Sequence, residues 1–159
     1  MKIIKILFLS IFIVSCSGSD KLPVELMGSY SGAFVFKEGD KKEFIKTDIV
    51  RNNGSDRAVW YAYIRTNKPF IRYVEEVKVN GATLWNVDEA VSNNSKKVVK
   101  SVVSDDKTTV TITREIENKN GLLVGVWGMN KDDPLGPLEI KITIEDKVDI
   151  DFKWNVVSQ

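Results

Sequence analysis

Residues 138–156 constrain the fold most. Leu138, Ile140, Ile142 and Ile144 alternate with polar residues, and the alternation resumes with Val148, Ile150, Phe152, Trp154 and Val156. Successive side chains of a strand point to opposite faces, so this period of two describes two strands that each bury one face. Loop length then sets the register. A two-residue loop at Asp146-Lys147 would set Ile144 against Asp149 and Ile142 against Asp151, mixing core and solvent faces. A three-residue loop, Glu145-Asp146-Lys147, pairs Ile144 with Val148, Ile142 with Ile150, Ile140 with Phe152 and Leu138 with Trp154. That is the predicted register.

The same short rhythm runs through the preceding chain, with strand-like segments at 28–37, 43–50, 57–66, 70–79, 82–88, 97–104, 108–117 and 122–129. Turn residues separate them, among them Glu38-Gly39-Asp40-Lys41, Asn67-Lys68-Pro69, Asp105-Asp106-Lys107 and the proline- and glycine-rich run 131–137. Residues 89–95 read as a loop or a short helical turn. Asn80-Gly81 is the sharpest turn signal, because both central positions of a type I′ turn need positive φ. It predicts a hairpin pairing Val79 with Ala82 and Val77 with Leu84. The chain is thus expected to be all-β, an antiparallel meander of eight to ten strands with no long helix and no internal repeat. Sequential hairpins favour an up-and-down β-barrel over a two-sheet sandwich.

The N-terminus carries a different kind of information. Lys2 and Lys5 precede the apolar run 6–14, the layout of a secretory signal peptide. That run is far shorter than the roughly 20 residues a membrane-spanning helix needs. It ends in Ile13-Val14-Ser15-Cys16, which resembles the lipobox of bacterial lipoproteins. The resemblance implies cleavage before Cys16, lipid on its sulfur and anchorage to a membrane of the cell envelope, the outer membrane or cell surface rather than the inner membrane. The expected organisation is a signal peptide at 1–15, a lipidated cysteine and flexible tether at 16–22, and a single β-domain at 23–159.

Gly28-Ser29-Tyr30 resembles the opening of the first strand in lipocalins, where the pattern is Gly-x-Trp and Tyr30 stands in the aromatic position. This implies a barrel able to hold one small ligand. The aromatic residues are the candidates to line such a site, chiefly Trp60, Tyr61, Tyr63, Trp85 and Trp127, with Tyr73 also in the set. Trp154 lies in a regular apolar stripe and reads as core. Gly125 and Gly128 flank Trp127, and glycine within a strand marks a bulge or a close approach.

Composition removes several chemistries. The chain has no histidine, and its one cysteine is Cys16. Ser/His/Asp and Cys/His catalysis, structural disulfides, and zinc, copper or haem held by His or Cys are therefore excluded. With 23 basic and 22 acidic residues the charge is balanced, and no basic stripe points to nucleic acid. No cofactor, catalytic residue or metal ligand is assigned. Three acidic pairs read as solvated or turn carboxylates. Glu75 and Glu76 are adjacent in a strand and point to opposite faces, Asp105-Asp106 marks a hairpin, and Asp132-Asp133 lacks EF-hand spacing. The sequon at Asn93-Asn94-Ser95 is uninformative in a bacterial chain.

The function read from sequence is a non-catalytic, lipid-anchored envelope domain that binds a small apolar ligand or a protein partner. The alternative is an inhibitor or protective protein acting on an enzyme through a loop such as 132–137. A hydrolase using carboxylates alone ranks last.

Overall fold

The structure, a computed structural model, describes residues 23–37, 41–87 and 96–158. The expected signal peptide and tether, Cys16, residues 38–40 of the expected first turn, and residues 88–95 with the sequon lie outside the described residues. Within them, alternating sequence becomes strands β1 (Glu25–Lys37), β2 (Lys41–Ile45), β3 (Ile49–Arg51), β4 (Arg57–Arg65), β5 (Phe70–Val79), β6 (Lys96–Val103), β7 (Thr109–Glu117), β8 (Leu122–Gly128), β9 (Gly136–Ile144) and β10 (Val148–Val157). No helix among the described residues is long and apolar enough to cross a membrane.

The strands form two sheets, ordered β2-β1-β4-β8 and β3-β10-β9-β5-β7-β6. This overturns the expected up-and-down barrel and makes the domain a two-sheet sandwich. A meander requires each strand to pair with the next along the chain, yet only β1–β2, β6–β7 and β9–β10 do so. The chain instead crosses between sheets at 46–48, 52–56, 66–69, 118–121 and 129–135. The first crossing splits the expected strand 43–50 into β2 and β3. There the Thr47 hydroxyl accepts from the Ile49 amide at 3.1 Å, and the Asp48 carbonyl accepts from the Asn155 amide at 2.6 Å. The second half then pairs in parallel with β10.

The Asn80-Gly81 hairpin does not form. Neither residue has positive φ, and 82–87 is not a strand. The cause lies in β5, whose two edges are already occupied by β7 and β9: Val77 pairs with both Val110 and Ile140. A returning strand would find no free backbone donors or acceptors. Leu84, expected opposite Val77, is 87% exposed, whereas Val77 is buried.

The β9–β10 hairpin has the predicted register, with Ile144 on Val148, Ile142 on Ile150, Ile140 on Phe152 and Leu138 on Trp154. Glu145 and Asp146 take φ of 52° and 55° to close the three-residue loop. Its apolar stripe faces that of the other sheet. Trp60 stacks on Phe152 at 5.8 Å, and the Trp154 indole N–H donates to the Gly32 carbonyl at 3.0 Å, joining the sheets. Asn118 braces two crossings at once. Its Nδ2 donates to the Thr66 and Lys68 carbonyls at 3.3 and 2.8 Å, and its Oδ1 accepts from the Gly121 amide at 2.9 Å.

Candidate functional site

Two inward stripes are each interrupted by one charge. On β5, Ile71, Tyr73, Glu75, Val77 and Val79 point into the sandwich, and on β7 Val110, Ile112, Arg114 and Ile116 do. Tyr73 pairs with Arg114 and Glu75 with Ile112, so Glu75 and Arg114 are diagonal neighbours on one face, a distance long side chains span. They are 1% and 4% exposed, and Arg114 Nε donates to Glu75 Oε2 at 3.2 Å. From the other sheet, Trp60 on β4 and Trp127 on β8 both donate their indole N–H to Glu75 Oε1, at 2.8 and 2.7 Å. Burying a carboxylate is costly unless its oxygens are paired and hydrogen-bonded. Three donors meet that condition here.

Gly125 makes this geometry possible. A Cβ there would lie 2.0 Å from Trp60 Nε1. The β4–β8 ladder runs without a break from Arg57–Gly128 to Tyr63–Leu122, so Gly125 marks a close approach and not a bulge. Gly128 does the same beside the Arg57 side chain, 3.0 Å from a Cβ position.

A cavity of about 360 Å³ adjoins the cluster, between β5, β7, β8 and the segment 82–87. Its volume falls within the range of small-molecule sites. Arg114 Nη1 is buried and has no hydrogen-bond partner among the described residues. Trp127 and Trp85 form one wall, meeting edge to face at 6.1 Å. Segment 82–87 is held over the cavity by the β6–β7 turn: Thr83 N and Trp85 Nε1 both donate to the Lys107 carbonyl, at 3.1 and 2.9 Å. Half-buried Arg57 also lines the cavity and donates to the carbonyls of Gly54 and Asp56 at 3.0 and 2.9 Å. Burial, with the nearby Glu75 charge, pushes the Tyr73 phenol above its ordinary value and keeps it protonated.

Of the five aromatic candidates, the structure brings three to this place. Trp85 and Trp127 line the cavity, and Trp60 stands behind it on Glu75. Tyr61 and Tyr63 lie on the opposite, outer face of the four-stranded sheet, since neighbours in a strand alternate. There Tyr30 stacks on Tyr61 at 4.6 Å and lies 6.3 Å from Tyr63, with Phe44 edge-on to Tyr61 at 5.8 Å. Tyr30 therefore closes no barrel and sits on a solvent-facing aromatic surface.

The acidic pairs resolve individually. Glu75 and Glu76 point to opposite faces as expected, Glu76 outward and Glu75 at the centre of the buried cluster. Asp106 Oδ1 accepts from Ser104 Oγ at 2.6 Å and the Thr108 amide at 3.1 Å, shaping the β6–β7 turn. Asp133 accepts from the Asn130 amide at 2.6 Å and from Thr83 Oγ1 at 2.5 Å. The loop 131–135 around it is further tied by Asn52 Nδ2 and Asn80 Nδ2, which donate to the Lys131 and Leu135 carbonyls at 3.1 and 3.2 Å. Glu75 and Arg114 are the site residues that sequence reading missed. The signal was present: each is the one charge in an otherwise apolar inward stripe.

The fold is similar to that of an immunoglobulin-like protein from Pseudomonas aeruginosa, whose crystal structure aligns with a TM-score of 0.52 at 10% identity, covering 85% of this chain and 97% of that one. At that identity the likeness concerns the fold alone, an immunoglobulin-like β-sandwich. No curated protein matches the chain significantly. Residues 30–157 match the PM0630 beta sandwich domain. The chain belongs to the PM0630 beta sandwich domain family.

Proposed function

We propose that this protein is a lipid-anchored domain of the bacterial cell envelope, exported and held through Cys16, whose sandwich binds a small molecule between its sheets. The observation that carries the binding role is the buried Arg114 Nη1, an unpartnered donor beside a cavity of about 360 Å³. An unpaired buried donor costs about 1–3 kcal/mol, and a bound acceptor would remove that cost. The non-catalytic part of the reading is supported by Glu75. Its Oε1 already accepts from two indoles and its Oε2 from a guanidinium, which leaves it poorly placed to take a substrate proton. The inhibitor alternative needed a freely protruding loop at 132–137, and the ties to Asn80 and Thr83 argue against that.

Two experiments test the proposal. Cys16→Ala is expected to release the protein from the membrane fraction, and retention of an unlipidated, unprocessed chain would sink the anchor. Native mass spectrometry of the chain from Ser17 onward, purified without detergent, is expected to show added mass that denaturation removes. A clean mass that stays clean after incubation with envelope extract would sink the binding role.

A further inference from the structure

We infer that the cavity beside Arg114 takes an uncharged molecule with a hydrogen-bond acceptor at one end and a flat apolar body. This rests on the reading of the cavity as a binding site and adds the chemical class of what binds there.

The polar end follows from which groups are already satisfied. Glu75 accepts from Trp60, Trp127 and Arg114 Nε, so a ligand has no reason to present it with a donor. Arg114 Nη1 is the buried side-chain polar atom without a partner among the described residues, and it can only donate. The ligand group that meets it must accept.

Charge decides between a neutral acceptor and an anion. The Arg114 charge is already balanced by Glu75 within one ion pair. A ligand carboxylate on the same guanidinium would add a second negative charge near Glu75 in a poorly solvated site, where like charges repel strongly. Asp133, on the same cavity, adds to that repulsion. Arg57 is the one other cation among the lining residues and Asp133 the one other anion, so the four lining charges already balance and a charged ligand would upset that balance. A carbonyl, amide or ether oxygen satisfies Nη1 without bringing a charge.

The apolar end follows from the walls. Trp85 and Trp127 present aromatic surface, joined by the buried side chains of Val79 and Met129. Flat rings pack on such surfaces with little entropy loss.

The test uses the full chain, labelled with 5-fluorotryptophan and held in lipid nanodiscs. The four tryptophans give one fluorine resonance each, and Trp154, bonded to the Gly32 carbonyl away from the cavity lining, is the internal control. Four probes share one ring and differ at the polar end: acetophenone, benzoate, ethylbenzene and benzylammonium. Acetophenone is expected to shift Trp85 and Trp127 but not Trp154, and to bind at least about tenfold more tightly than the other three. Arg114→Lys keeps the charge opposite Glu75 but loses the spare guanidinium N–H, and is expected to bring acetophenone and ethylbenzene within about twofold.

Tightest binding by benzoate or benzylammonium would overturn the uncharged class while leaving the binding cavity standing. Equal binding of acetophenone and ethylbenzene by the native chain would overturn the role of Nη1. If no probe moves Trp85 or Trp127, the cavity holds water only and the binding reading itself fails. The probe series on the native chain decides these outcomes even if Arg114→Lys does not fold.

Discussion

At the scale of single residues, the sandwich interior is organised around an ion pair that no local motif announces. Removing one partner of a buried pair leaves an uncompensated charge, at a cost of about 3–5 kcal/mol. Arg114→Met is therefore expected to destabilise the protein by that amount in urea denaturation. Adding Glu75→Gln removes the stranded charge and keeps an oxygen for the Trp60 and Trp127 indoles, so the double variant is expected to be more stable than Arg114→Met alone. A double variant whose loss equals the sum of the two single losses would show that the residues are not coupled. Part of this site was legible. Tyr73, Glu75, Val77 and Val79 occupy alternate positions, and Val110, Ile112, Arg114 and Ile116 do too, which places both charges on apolar faces. Considering Glu75 only with its neighbour Glu76 hid this. That the two charges meet was not legible, because their contact depends on β5 pairing with β7, past the intervening β6.

At the scale of elements, hairpins were readable and sheet membership was not. The β9–β10 register and the β6–β7 turn depend on residues close in sequence, where hydrophobic alternation and turn chemistry act together. Asn80-Gly81 had the right turn chemistry, but competing pairings on both edges of β5 outweighed it. Two glycines separate these cases. Gly121 has a φ of 73°, and a Cβ there would lie 2.0 Å from the Ile64 carbonyl oxygen. Gly81 has ordinary φ, and its Cβ would meet only Pro134 side-chain atoms at 3.3 Å. Gly121→Ala is expected to cost at least about 2 kcal/mol, and Gly81→Ala under about 1 kcal/mol. Thermal melts of the two variants check this, and a larger loss at Gly81 would mean that the type I′ hairpin forms after all.

For the whole molecule, the lack of histidine removes the side chain whose ordinary pKa places its charge change between about pH 5 and 8. Stability should therefore form a plateau with one acidic and one alkaline edge. On the acid side, burial pushes the Asp56 carboxyl up, but the Arg51 guanidinium and the Asn53 amide outweigh it and hold it below the ordinary carboxylate range. Hydrogen bonds from Ser104 and Thr108 hold Asp106 low, and those from Thr143 and Lys141 hold Asp149 low. A carboxyl depressed in the folded state contributes stability above its unfolded value, near 4, and loses it as pH falls through the folded value. On the alkaline side, burial and the Glu75 charge raise the Tyr73 phenol. Its contribution is intact below the unfolded value, near 10, and is lost as pH rises above it. Urea midpoints are expected to stay level from about pH 5 to 9 and to fall beyond both edges. Asp56→Asn, which breaks the pairing with Arg51 at 2.8 Å, is expected to cost about 1–3 kcal/mol at pH 7. That difference should begin to shrink as pH falls below the unfolded value, near 4, and go on shrinking as pH falls through the depressed folded value. A loss that stayed constant down to pH 2 would show that Asp56 stabilises the 52–56 crossing through its shape and not its charge.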